Sequence, residues 1–415
     1  MATRVSLCRL CGSSKLEEFL SLGDMPPVNS FLSTPQEIAA EQGHPLAVAF
    51  CSACTHVQLT HMLDPRDVFT DYIYFSSMSE TIVRYGESLA ARYASEFGLK
   101  KNDLVVELAS NDGCILRPFQ EHCRVLGVEP AKNIAEVANG VGVPTIAEFF
   151  DSKSGDALRA EYGPARLILA RNVLAHVPEA IDFVRAAGRW LADDGILHVE
   201  VPYLKEMVEN LEFDTIYHEH LSYFSVTMLE RLFAQAGLVL WDVEDIRLHG
   251  GSLIARARKP GALARPAVGR YLGSEQVAGY RGIEPLLRFA EGTRHLKERI
   301  PNFLGDLKRR GHRLAGYGAA AKGVVLLNYC GVGSELLDFV ADRSPYKQGK
   351  KMPGIHLPVV SPDEVTKHQP DYLFMLAWNF FDEIARQQAP YLRAGGKFLV
   401  PLPEPRVASA PLDVA

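Results

Sequence analysis

Two C-x-x-C pairs near the amino end, Cys8-Arg9-Leu10-Cys11 and Cys51-Ser52-Ala53-Cys54, constrain this chain more than any other feature. Each pair sets two thiolates on one turn, and four thiolates brought together close a tetrahedral site for Zn²⁺. Such a site keeps no open position for water or substrate, so it predicts a structural metal rather than a catalytic one. Two disulfides are the other reading of the same spacing. The chain starts Met1-Ala2-Thr3-Arg4 with no apolar signal segment, and no run of about eighteen apolar residues would span a membrane. The expectation is a cytoplasmic protein with reduced thiols and no membrane attachment.

A chain of 415 residues exceeds what one core normally supports, which predicts two or three domains. Its 47% hydrophobic and 23% charged residues are those of an ordinary globular protein, and a net charge of −6 argues against a nucleic-acid partner. Cys114, Cys123 and Cys330 lack metal-ligand spacing and read as buried apolar thiols.

Beyond the second cysteine pair lies a polar, aromatic stretch, Asp71-Tyr72-Ile73-Tyr74-Phe75-Ser76-Ser77, and then a helical pattern from Thr81 to Phe97. Short apolar runs at 104–108, 124–129, 167–170 and 196–201 alternate with amphipathic stretches, which implies β-α-β units and a parallel sheet. Runs at 239–246 and 252–257 follow one another without room for a helix, so they predict an antiparallel finish, the class I methyltransferase pattern. A third unit is expected to begin near Pro301. There, Arg313-Leu-Ala-Gly-Tyr-Gly318 followed by Ala319-Ala-Ala-Lys322-Gly323 reads as strand, glycine turn and helix start, with further strands at 337–341, 372–376 and 397–400.

Ligands in a doubly wound sheet sit beyond the carboxyl ends of the strands. Glu107-Leu-Ala-Ser-Asn-Asp-Gly113 occupies such a point but lacks G-x-G, while Glu129 ends the next strand, where a carboxylate can accept hydrogen bonds from both ribose hydroxyls. A glycine-poor first loop with a second-strand carboxylate suits an adenosine ligand without a diphosphate, and S-adenosylmethionine is such a ligand. In the carboxy-terminal unit, Gly316-Tyr-Gly318 and Lys322 read either as a phosphate cradle or as a plain helix start. Asp342-Arg343-Ser344-Pro345-Tyr346-Lys347 adds polar groups to the same crevice, unless this unit binds nothing and only closes the site.

The cysteine pairs, Glu107–Gly113, Arg171-Asn-Val-Leu-Ala-His176-Val177, Tyr217-His-Glu-His-Leu-Ser-Tyr-Phe224, His249-Gly-Gly-Ser252 and Gly316–Gly323 together resemble the deoxysugar C-methyltransferases, nearest to those acting at C-3 of a nucleotide-linked sugar. The resemblance covers essentially the whole chain. It implies a zinc-binding domain over 1–72, a Rossmann-like methyltransferase domain over 73–295 and a Rossmann-like α/β domain over 296–415 that shares in holding the sugar nucleotide. It further implies His220 as general base, Glu219, Tyr217 and His176 in the same active-site cluster, and Tyr72 or Tyr74 as a further phenol. Glu107, Ser110, Asn111, Asp112, Gly113, Glu129, Pro130 and Asn172 would face S-adenosylmethionine. His249, Gly250, Gly251, Ser252, Gly318, Lys322, Asp342, Arg343 and Lys347 would face the substrate. Ala175 departs from the N-x-x-E-H pattern of many methyltransferases, although His176 is retained.

Carbon–carbon bond formation from S-adenosylmethionine needs a carbanion equivalent, which a sugar supplies only beside a carbonyl. A dTDP-linked 4-keto-deoxysugar meets that need, with a base near neutrality and donors for the enolate oxygen. Tyr217-His218-Glu219-His220 offers that chemistry, although a satisfied structural cluster is the alternative; its H-E-H spacing is not the H-E-x-x-H of zinc proteases. Methylation at C-3 and at C-5 would use the same residues. A zinc-stabilised interaction protein without catalysis is a rival of another class, and a dehydrogenase is disfavoured by the missing G-x-G-x-x-G. The oligomeric state stays open, with a monomer as one expectation.

Overall fold

The computed structural model describes residues 2–64, 73–246 and 250–408. Tyr72 and His249 fall outside them. The central element is a seven-stranded sheet. Its first strand, Leu104–Leu108, lies between Arg124–Val128 and Ala165–Arg171, both parallel to it. All five of its residues are buried, as an interior parallel strand covered on both faces requires. Thr145–Ile146 extends one side and Leu191–Pro202 the other. Ser252–Arg258 then inserts antiparallel between Leu191–Pro202 and Val239–Ile246. With five parallel strands from 104 to 202 and this antiparallel insertion, the sheet has class I methyltransferase topology, as the alternation of runs predicted.

The Glu80–Glu96 helix packs Ile82, Gly86, Leu89, Ala90 and Tyr93 inward at three- and four-residue spacing, and Ser79 caps its start by accepting from the Ile82 amide. A carboxylate from far along the chain strengthens that start. Glu383 accepts from Ser79 Oγ (2.8 Å), the Thr81 amide (3.1 Å) and Thr81 Oγ1 (2.7 Å), which ties the carboxy-terminal unit to the methyltransferase sheet.

The carboxy-terminal unit is a six-stranded sheet ordered Val359–Val360, Val340–Ala341, Leu314–Tyr317, Tyr372–Met375, Lys397–Val400 and Arg406–Ala408. Its first five strands are parallel and the last is antiparallel. No break occurs at Pro301. That residue lies inside the Glu284–Arg309 helix. An interior proline costs a helix about 3 kcal/mol. Here a continuous buried stripe of Leu296, Ile300, Leu304 and Leu307 holds the helix together across it.

The amino-terminal module is an antiparallel sheet of Leu16–Met25, His44–Cys51 and Val57–Leu59, and its fourth strand, Ser222–Tyr223, is supplied by the chain just after the Tyr217–His220 motif. One hydrophobic core runs from Leu46 and Val48 of this module through Phe213, Ile216 and Leu221 to Leu304 and Phe374. Cys8, Cys51 and Cys54 belong instead to the core beneath the methyltransferase sheet, with Phe224 and Met228. Among the described residues no helix is long and apolar enough to cross a membrane.

Candidate active site

Cys8, Cys11, Cys51 and Cys54 converge beside the segment that carries His220. The four sulfurs lie within 4.8 Å of one another, with Cys8–Cys54 at 3.5 Å and Cys11–Cys51 at 3.6 Å. A tetrahedron of Zn–S bonds of 2.3 Å has edges of about 3.8 Å, whereas a disulfide holds its sulfurs at about 2.05 Å. The donor set therefore fits a closed, structural zinc, and the disulfide reading falls away.

A cavity of about 760 Å³ opens where the carboxyl ends of both parallel sheets face each other. On the methyltransferase side it is lined by Glu107, Ser110, Asn111, Glu129, Pro130 and Asn172. Ala109, Asn111 and Gly113 have φ of 55°, 50° and 76°. The loop thus adopts the left-handed conformation at three alternate positions where glycine is usual, with alanine and asparagine at two of them. Composition concealed this, because a non-glycine residue at positive φ is uncommon and costs about 1–2 kcal/mol. Glu129 holds the loop, accepting from the Asn111 and Ala131 amides, both at 2.9 Å, and burial raises its pKa. Asp112 and Gly113 do not line the cavity. Asp112 accepts from the Ser77 amide (2.9 Å) while Asn111 accepts from the Ser76 amide (2.8 Å), so together they anchor the segment that carries Tyr74. A Cβ at Gly113 would meet Val143 at 2.9 Å. These two expected cofactor residues shape the loop from behind.

Arg171 was not singled out from the sequence, although a cation ending an apolar strand was a signal. It lies 3.0 Å from Glu200 and 3.6 Å from Glu107, and burial pushes the Glu107 carboxyl up to about 8 against the pull of Arg171.

Tyr74, His176, Tyr217 and His220 line the middle of the cavity. His220 Nδ1 lies 2.8 Å from the Thr215 carbonyl, which can only accept, so Nδ1 carries the proton and Nε2 is the basic nitrogen. Tyr217 Oη is 2.7 Å from Nε2 and donates to it. Burial, with Glu219 next, raises the Tyr217 phenol well above its usual range, so it stays a donor. His176 meets His220 edge to face at 4.8 Å, and desolvation lowers it to about 4, leaving a neutral imidazole. Glu219 does not line the cavity; it accepts from Asn29 Nδ2 at 2.7 Å, and Asn29 itself reaches the cavity from the zinc module. The bond that orients the His220 ring comes from the Thr215 carbonyl, while Glu219, expected in the same cluster, turns to Asn29.

The carboxy-terminal side contributes Gly318, Lys322, Asp342, Arg343 and Lys347. Its glycine turn is not an open phosphate cradle. The Gly318 amide donates to the Ala341 carbonyl (2.8 Å) and the Ala319 amide to Asp342 (2.7 Å), while Lys347 donates to the Ala319 carbonyl (2.7 Å). Lys322 lies 3.2 Å from Glu212 and 3.9 Å from Asp214, above the Trp378 ring at 4.5 Å. Burial pushes Glu212 up to about 7. Arg343, half-exposed and 3.4 Å from Glu383, is the cation of this side that reaches furthest toward solvent. Gly250, Gly251 and Ser252 do not line the cavity. A Cβ at Gly250 would come within 2.8 Å of Glu212 and 2.9 Å of Trp378, so this turn packs behind the Lys322 cluster, contrary to the expected substrate contact.

Family models describe the chain piece by piece: a zinc-binding domain over 8–69, a methyltransferase domain over 78–243 and a C-methyltransferase C-terminal domain over 247–403. The C-methyltransferase NovU of Streptomyces niveus is 38% identical over 406 residues, covering 97% of each chain. The chain belongs to the C-methyltransferase family. It is an S-adenosylmethionine-dependent C-methyltransferase with a structural zinc. Among solved structures, magnesium protoporphyrin IX methyltransferase of Synechocystis PCC 6803 with bound SAM is 14% identical, with a TM-score of 0.33 over 43% of this chain and 79% of that one. The YcgJ protein of Bacillus subtilis is likewise 14% identical, with a TM-score of 0.33 over 43% of this chain and 100% of that one.

Proposed function

We propose that this C-methyltransferase acts on a dTDP-linked 4-keto-deoxysugar in the cytoplasm and adds the methyl group at C-3. The observation that carries the reading is the cavity itself, which joins the Glu129 end of one sheet, the Tyr217–His220 pair and the cationic end of the other sheet. S-adenosylmethionine supplies an electrophilic methyl group; the chain must supply the nucleophilic carbon. His220 Nε2 takes the C-3 proton, leaving its electron pair in the enolate of the C-4 ketone. Tyr217, protonated and 2.7 Å from Nε2, turns its O–H from the imidazole to the enolate oxygen. His176 stays neutral and offers a second hydrogen bond without adding charge. The new C–C bond then forms as the carbon–sulfur bond breaks, and the proton remains on His220 until solvent removes it. Arg343 faces the diphosphate, with Lys322 and Lys347 behind it. Incubation with S-adenosylmethionine and a panel of dTDP-4-keto-deoxysugars, followed by NMR, is expected to give a 3-C-methyl product. A methyl group at C-5, or no sugar product from the panel, would overturn the reading.

A further inference from the structure

The segment that carries His220 is held by the zinc module on both sides of that residue. His218 Nε2 lies 3.1 Å from the His44 carbonyl. Glu219 accepts from Asn29 at 2.7 Å. The Leu221 carbonyl accepts from the Leu59 amide at 3.1 Å and also from the Arg9 guanidinium. Ser222 and Tyr223 pair with Gln58 and Val57. Residues 218, 219, 221, 222 and 223 are thus each tied to the module, around a base that is itself bonded to Thr215 and Tyr217.

Arg9 is central to this hold. It stands between Cys8 and Cys11, its amide donates to Gln58 Oε1 (2.9 Å), and Gln58 Nε2 donates back to the Leu7 carbonyl (3.2 Å). The cysteine turn, the fully buried Gln58 and the Leu221 carbonyl therefore form one connected frame. Arg9 Nε and Nη1 are buried without a hydrogen-bond partner among the described residues. Burying a guanidinium so incompletely paired is costly, which is poor design for stability alone. A two-residue strand such as Ser222–Tyr223 has little register of its own, and side-chain clamps supply what it lacks.

We infer that Arg9 and Asn29 are positioning residues for the proton-transfer step, so the zinc module aims His220 as well as stabilising the fold. The inference rests on the proposed role of His220. Its test uses the zinc-loaded enzyme with Arg9→Met, Asn29→Ala and the double variant, with wild type and His220→Asn as controls. Three quantities are read: zinc content, calorimetric affinity for S-adenosylmethionine, and solvent-deuterium exchange beside the ketone of a dTDP-4-keto-6-deoxyhexose without methyl donor, alongside kcat and KM. One zinc per chain, cofactor affinity and KM near wild type, and a fall of about tenfold or more in both kcat and exchange are expected, since a misplacement of about 1 Å costs on the order of 10²-fold. Arg9→Lys should recover part of the loss. Exchange within about twofold of wild type in the double variant would overturn the inference, because aim is worth far more than that in such a step. So would losses of zinc, cofactor affinity and exchange in parallel in both single variants. A His220→Asn control that exchanges as fast as wild type would instead overturn the assignment of the base.

Discussion

The two parallel sheets build the same device from different sequences. In the methyltransferase sheet, Glu129 at the end of the second strand accepts from the first-loop amide of Asn111 and from Ala131, two residues ahead of itself. In the carboxy-terminal sheet, Asp342 at the end of the second strand accepts from the first-loop amide of Ala319 and from Ser344, again two residues ahead. The surroundings differ in sign. Glu107, Glu129 and Glu148 line the first end with Arg171, which two carboxylates engage; Lys322, Arg343 and Lys347 line the second with Asp342 and Glu383. A shared backbone device therefore says little about which ligand sits where. Under the proposed function, the charge around it would sort a sulfonium cation from a diphosphate anion.

The most severe break in this comparison is at the point between the two ends. His220→Asn keeps much of the shape and removes the basic nitrogen, so turnover should fall by roughly 10²-fold or more while both ligands still bind, as calorimetry would show. Retained turnover would make His220 structural. Next come the ends themselves. Glu129→Ala should weaken S-adenosylmethionine by about 1.5–3 kcal/mol and leave the nucleotide sugar alone, whereas Arg343→Gln should weaken the nucleotide sugar about tenfold, with a shallower salt dependence, and leave the cofactor alone. If each variant weakened both ligands equally, the sorting by charge would be wrong.

His218, two residues from His220, gives a pH-dependent effect of defined sign. Burial lowers His218 to about 4, against about 6.5 in an unfolded chain. As pH falls from about 6.5 toward 4, the unfolded chain takes up a proton that the folded one does not, so wild type loses up to about 3 kcal/mol through this group. His218→Gln lacks that loss. The gap between the two melting temperatures should therefore narrow on acidification, and a constant gap would contradict the burial of a neutral imidazole. The smallest effect contrasts the two first loops. Ala109→Gly relieves a left-handed alanine and should change stability by no more than about 1 kcal/mol, in the stabilising direction, with cofactor affinity intact. Gly318→Ala should destabilise instead, since φ is 90° and its Cβ would meet that of Ala377 at 2.5 Å.

The strands at 104–108, 124–128 and 397–400 were legible because continuous apolar runs between amphipathic stretches admit little else. That Glu129, Tyr217 and His220 would share a cavity, and that the four cysteines would converge, was legible because their chemistry is scarce and their spacing local. Asn29, Thr215, Glu383 and the grip of Arg9 were not, since each acts on a residue more than a hundred positions away or through a backbone carbonyl that no side-chain pattern marks. The exception is Thr215, only five residues before His220, where the bond uses the carbonyl.

By itself, then, the sequence determined the two α/β sheets and the thiolate site, because periodicity and residue chemistry are local properties. Tertiary structure alone decided that the glycine turn at Gly318 would be closed by Asp342, that Lys322 would face Glu212, and that a strand following the Tyr217–His220 motif would complete the zinc module's sheet. Those outcomes depend on which polar group reaches an unpaired partner in three dimensions, since most buried polar groups must find one.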